Sequence, residues 1–193
     1  VEDDPYSLLR FSGDIPAPIK SYDTGDYVFY LGSFSKILAP GVRCGWIVAP
    51  EDVIRRIERL REANDLETST LIQRSIYEFV SRGWLDEHLA ALNAANHARR
   101  DALLAALDTH LGDIASWTEP DGGIFVWVTL PEHVNTWEMV QDAIAHQVVY
   151  VPGGEFSVNG GYNHTMRLNF SNVAIEQIDE GIRRLEAVIR QQV

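Results

Sequence analysis

The segment Ser33-Phe34-Ser35-Lys36-Ile37-Leu38-Ala39-Pro40-Gly41-Val42-Arg43-Cys44-Gly45-Trp46 constrains this chain more than any other part of it. Tyr27 to Leu31, just before it, is aromatic and β-branched and reads as a buried strand. Cys44 to Val48 repeats that character after the Pro40-Gly41 turn. Lys36 therefore falls on the connection between two strands, where reactive side chains are commonly carried.

The pattern beyond this segment is helical. Pro50 stands where a first-turn proline is tolerated, Glu51 and Asp52 suit the positive end of a helix, and Val53, Ile54, Ile57 and Leu60 form an apolar stripe. Leu66 to Arg82 reads as a second, less regular helix that closes at Gly83, with Thr68-Ser69-Thr70 as its start signal. Leucines 85, 89, 92, 103, 107 and 111 recur at helical spacing from Trp84 to Leu111, long enough to bridge two domains, and the boundary is placed within it near Ala95. Ile114 to Thr118 and Gly123 to Thr129 read as strands around the Pro120-Asp121-Gly122 turn. Asn135 with Glu138 suggests a capping box. Val148 to Val151 and Thr165 to Phe170 read as further strands, and Ile175, Ile178, Ile182, Leu185 and Ile189 mark the apolar face of a last helix. The expected fold class is α/β, with domains at 1–95 and 96–193.

Of the 193 residues, 46% are hydrophobic and 23% charged, a composition that supports a packed core. The net charge of −12 argues against a nonspecific nucleic-acid surface or an anionic-membrane surface. One cysteine, Cys44, cannot make an internal disulfide and fits a reducing compartment. The six histidines show no metal-ligand spacing, and there is no Gly-x-Ser-x-Gly elbow, Walker lysine loop or Gly-x-Gly-x-x-Gly turn. No metal site is expected.

Lysine condenses with an aldehyde only as the neutral amine, so a catalytic lysine needs desolvation or cationic neighbours. With the chain folded back at Pro40-Gly41, Arg43 could aim its fork at a dianion while Lys36 reaches an aldehyde of the same ligand. From spacing alone, the favoured reading of the segment is a surface lysine and arginine among turn serines.

The wording of the segment discriminates. Ser-Phe-Ser-Lys-x-Leu-x-Pro-Gly-x-Arg-x-Gly-Trp closely resembles the class I/II, fold-type I aminotransferases that use pyridoxal 5'-phosphate (PLP), within them the aminoadipate/kynurenine-type branch and the aminotransferase-like domains of MocR-type regulators. The resemblance implies that the chain is the carboxyl-terminal part of the large PLP-binding domain followed by the small α/β domain, and thus the carboxyl half of a larger protein. It implies that Lys36 condenses with the cofactor aldehyde, and that Ser33 and Arg43, with Ser35 a weaker candidate, hold the cofactor phosphate. Asp3-Asp4-Pro5-Tyr6 matches the family's aspartate three residues before a tyrosine, so Asp3 would face the pyridine nitrogen and Tyr6 the ring oxygen, with Asp4 as the alternative should the register slip by one. Arg167, in Thr165-Met166-Arg167-Leu168-Asn169-Phe170, matches the arginine that binds the substrate α-carboxylate; read alone, the strand pattern favours a surface charge.

Gly122 to Trp127 looks like the segment that closes near the substrate, with Phe125 and Trp127 read as core or sheet residues; Val151 to Phe156 resembles an active-site entry segment or makes only a tight turn. The implied activity is amino-group transfer from an L-amino acid to a 2-oxo acid by a cytoplasmic homodimer, with this polypeptide alone weakly active or inactive. The alternative is the PLP-binding sensor of a MocR-type transcription regulator.

Overall fold

The computed structural model describes residues 1–193. They form two compact units, Val1–Asn93 and Ala94–Val193, each with its own sheet.

In the first unit, β1 (Glu2–Asp4), β2 (Tyr30–Ser33) and β3 (Gly45–Val48) lie in that order, β1 parallel to β2 and β3 antiparallel to it. Nothing in the propensities of three consecutive acids favours a strand. Pairing makes one: the Glu2 N–H donates to the Phe29 carbonyl at 2.8 Å, and the Glu2 carboxylate accepts the Ile19 and Lys20 N–H groups at 2.7 and 2.8 Å. Asp23 organises the rest of the long β1–β2 connection. Its carboxylate takes the Lys20 ammonium and the N–H groups of Val28, Tyr27 and Gly25, which together hold it far below the usual carboxylate range. β2 starts at Tyr30, later than the aromatic run suggested, because Asp23 gathers the residues before it into a turn and leaves Tyr27 exposed.

α1 (Phe34–Ile37) follows β2 directly, and a 3-10 turn at Pro40–Val42 leads into β3. Next come α2 (Glu51–Asn64), with Pro50 at its N-cap, α3 (Thr70–Ser81) and α4 (Trp84–Leu111), which runs from one unit into the other. α2 carries its stripe as expected but buries none of it fully within this chain.

The second unit holds β4 (Ser116–Trp117), β5 (Phe125–Thr129), β6 (Val151–Pro152) and β7 (Thr165–Asn169) in the antiparallel order β4-β5-β7-β6, with α5 (Val140–Ala145) and α6 (Ile175–Ile189). Alternation sends Val126, Val128, Met166 and Leu168 to one sheet face, where all are buried. Leu103, Leu107 and Leu111 of α4 and Ile178, Ile182, Leu185 and Ile189 of α6 complete the core. β6 is only two residues long, Val151–Pro152, so Val148, Val149 and Tyr150 of the expected strand lie outside it. The capping box is also absent. Asn135 Oδ1 accepts from the Trp137 N–H two residues on, which makes a turn, and α5 starts only at Val140.

Tyr150 closes this unit from the inside. Its O–H donates to the Thr136 carbonyl at 2.6 Å, and burial, aided by the Asp142 charge, pushes its pKa up to about 12. The folded state thus keeps a proton that the unfolded chain gives up, so stability is full below the ordinary tyrosine value of 10.0 and falls as pH rises toward about 12. Tyr150→Phe should cost about 1 kcal/mol at neutral pH through the lost hydrogen bond and should flatten the alkaline decline, as read from urea midpoints across pH; an unchanged decline would show that another group causes it.

Candidate functional site

The two pairings of the first sheet sort its side chains by face. Asp3 stands opposite Leu31, and Leu31 opposite Ile47, so these residues share one face with Ser33 and Gly45. Asp4, Tyr30, Gly32 and Trp46 share the other. Since β1 and β2 run parallel and β3 runs back, the carboxyl ends of β1 and β2 and the amino end of β3 meet at one end of the sheet. Tyr6, Ser33, Ser35, Lys36 and Arg43 all belong to chain leaving or entering that end. Ligands in open α/β sheets bind outside such carboxyl ends.

The adjacent acids have different fates. Asp4 accepts from the Ser7 N–H and the Tyr30 hydroxyl, both at 2.9 Å. Burial works to raise its pKa, but these hydrogen bonds outweigh it and leave the carboxyl below its ordinary value. Asp3 is exposed, and its carboxylate makes no hydrogen bond or ion pair. Of the two, Asp3 has its carboxylate available, while Asp4 fixes the strand.

Ser33 is the N-cap of α1: its Oγ accepts the Ser35 N–H at 3.1 Å, leaving its own O–H unspent. The α1 turn is further anchored by the Phe34 N–H donating to the Cys44 carbonyl at 3.0 Å, which ties the start of the lysine turn to the residue after Arg43. Gly32 is required here, because a Cβ would lie 2.2 Å from the Trp46 indole, which crosses that face and meets Phe34 at 4.9 Å. Lys36 itself is exposed and unpartnered. Ser35 and Tyr6 are half-buried. Arg43 takes the left-handed backbone (φ 47°, ψ 40°), a conformation that costs a non-glycine residue of order 1 kcal/mol. One arm of its guanidinium donates to the Pro40 carbonyl at 3.0 Å, and the side chain is otherwise exposed.

In the second unit Arg167 lies in the centre of β7, opposite Trp127 of β5 and Val151 of β6. It is half-buried on the face away from the core. Its guanidinium carbon lies 3.9 Å from the Phe125 ring centroid and 4.5 Å from that of Phe156, and Nε is buried without a partner. Phe125 and Trp127 are thus sheet residues on the arginine's face and not core. This stack was not read from the sequence, since alternation shows that Phe125 and Trp127 share a face but not that Phe156 arrives over it. Val151 to Phe156 does make a tight turn, a 3-10 turn at Gly153–Phe156. A cavity of about 510 Å³ elsewhere in this unit, lined in part by Leu103, Leu168, Phe170 and Ile182, shares no residue with this cluster. No group of three or more His, Cys, Asp or Glu side chains is arranged to hold a metal, and no helix is long and apolar enough to cross a membrane.

The family model for aminotransferase class I and II matches residues 3–185, and the chain belongs to that family. It is 46% identical over 193 residues to an aromatic-amino-acid aminotransferase of Thermococcus litoralis, covering all of this chain and 46% of that protein. It superposes with a TM-score of 0.94 and 42% identity on a kynurenine aminotransferase of Pyrococcus horikoshii, solved with PMP, with all of this chain matching 48% of that one. It is also 34% identical over 183 residues to an HTH-type transcriptional regulator of Bacillus subtilis, covering 95% of this chain and 37% of the regulator. The chain spans about half the length or less of these relatives.

The turn that brings Phe156 over Arg167 depends on Gly153. A Cβ there would stand 1.8 Å from Thr165 Oγ1 and 2.9 Å from the Trp127 indole, so only glycine lets the turn lie against the sheet. Gly153→Ala should lift the turn and lower stability by about 2 kcal/mol, with loss of near-ultraviolet dichroism from Trp127; a variant with wild-type midpoint and spectrum would contradict this packing.

Proposed function

We propose that the protein is a PLP-dependent aminotransferase, in which this chain supplies the end of the large domain that holds the cofactor lysine, followed by the small domain, with the boundary within α4. The observation that carries the reading is the meeting of Asp3, Ser33, Lys36 and Arg43 at one end of a sheet, each with donor or acceptor capacity left over. The set fits the cofactor: an amine for its aldehyde, a free carboxylate for its ring nitrogen, and a hydroxyl and a guanidinium for its phosphate. When bound, PLP supplies the aldehyde carbon and a conjugated ring that takes up the electron pair left at the substrate Cα.

Lys36 Nζ is the amine that would hold the cofactor through its aldehyde carbon and, when free, would serve as the base that takes a proton at the substrate Cα. Asp3 would keep the ring nitrogen protonated, Tyr6 would donate to the ring oxygen, and Ser33 and Arg43, with Ser35, would hold the phosphate. Arg167 would grip the substrate α-carboxylate in two-point fashion. The reactants are an L-amino acid and a 2-oxo acid, in a cytoplasmic homodimer whose remaining residues complete the site. Lys36 is exposed in this chain, which supports the expectation that these 193 residues alone transfer amino groups weakly or not at all.

The match to an HTH-type regulator favours a second reading, in which the same site serves as a PLP sensor attached to a DNA-binding domain. A basic winged-helix segment in the protein's open reading frame, together with absent turnover, would select it.

Borohydride reduction of the PLP-loaded intact protein, followed by peptide mass spectrometry, should place the pyridoxyl group on Lys36. Lys36→Ala should abolish the label and lower transamination of an amino-acid panel by at least about 1000-fold. Pyridoxyl on any other lysine would overturn the assignment.

A further inference from the structure

Arg167 is a half-buried cation with no anionic partner in the chain, held against two phenyl rings instead. A carboxylate at this place would neutralise the guanidinium and occupy its N–H edge. Rings attract the positive charge through their faces but take no strong in-plane hydrogen bond, so they fix the group while leaving its N–H groups for an incoming anion. The two rings are held differently. Phe125 sits in β5, two residues along the strand from Trp127, which is Arg167's register partner. Phe156 ends a short 3-10 turn, is 47% exposed, and is steadied by an edge contact with Trp127 at 5.5 Å.

We propose that Phe125 and Phe156 are positioning residues that hold the Arg167 guanidinium ready for a carboxylate, with Phe125 the fixed ring and Phe156 the adjustable one. This rests on the reading of Arg167 as the carboxylate-binding residue. The rings contribute through the arginine: they set its rotamer before the ligand arrives, which lowers the ordering cost of binding.

The test compares 3-phenylpropanoate with its neutral amide by titration calorimetry on the intact protein. Wild-type protein should favour the carboxylate. Phe125→Leu and Phe156→Leu should each weaken carboxylate binding by about fivefold while leaving amide binding unchanged, and Phe125→Tyr should restore it. Arg167→Gln should remove the preference altogether. If Arg167→Gln loses the preference while both leucine variants keep it, or if the leucine variants weaken amide and carboxylate alike, the positioning role is refuted and the arginine reading stands. If Arg167→Gln keeps the preference, both fall. Should Phe125→Leu fail to fold, Phe156→Leu, at a half-exposed position, decides alone.

Discussion

The pairing of β1 with β2 is the constraint on which the candidate cofactor site depends. It is parallel, it is three residues long, and its register places Asp3 opposite Leu31. A slip of one residue would exchange the faces of Asp3 and Asp4 and bring the wrong carboxylate beside Ser33. Against that slip stand the hydrogen bonds that Asp4 accepts from Tyr30 and Ser7 on the opposite face, and the Glu2 carboxylate bound to the backbone of Ile19 and Lys20. Of three neighbouring acids, two are spent in holding the strand and the one between them is left with its carboxylate open.

That division was legible in the sequence only in part. The Asp-x-x-Tyr spacing pointed to Asp3 and kept Asp4 in reserve, but β1 itself was not foreseen, because a run of acids carries no strand pattern and its pairing partner lies more than twenty residues away. The strands flanking Lys36 were legible because their apolar character and the Pro40-Gly41 turn are local signals. The left-handed backbone at Arg43 was not, since nothing about an arginine announces it. Local capping also misled at Asn135, whose side chain closed a two-residue turn and delayed α5 to Val140.

In the second unit the same logic runs through alternation. The strand pattern around Arg167 separated it from Met166 and Leu168, and the structure puts those two in the core and the arginine on the opposite face. What alternation does not encode is the third partner. Phe156 reaches the arginine because Gly153 admits a turn flat against Thr165 and Trp127, a contact between segments that no local pattern records. The long α4 was the most legible element of all, its leucines recurring at helical spacing over 28 residues.

The central claim, that the register of β1 selects Asp3 as the acid facing the cofactor, is tested most directly by the ¹⁵N chemical shift of the cofactor ring nitrogen in the loaded intact protein. Asp3→Asn should move that resonance from the protonated to the unprotonated range at neutral pH, while Asp4→Asn should leave it protonated. A shift that responds to Asp4→Asn and ignores Asp3→Asn would contradict the account.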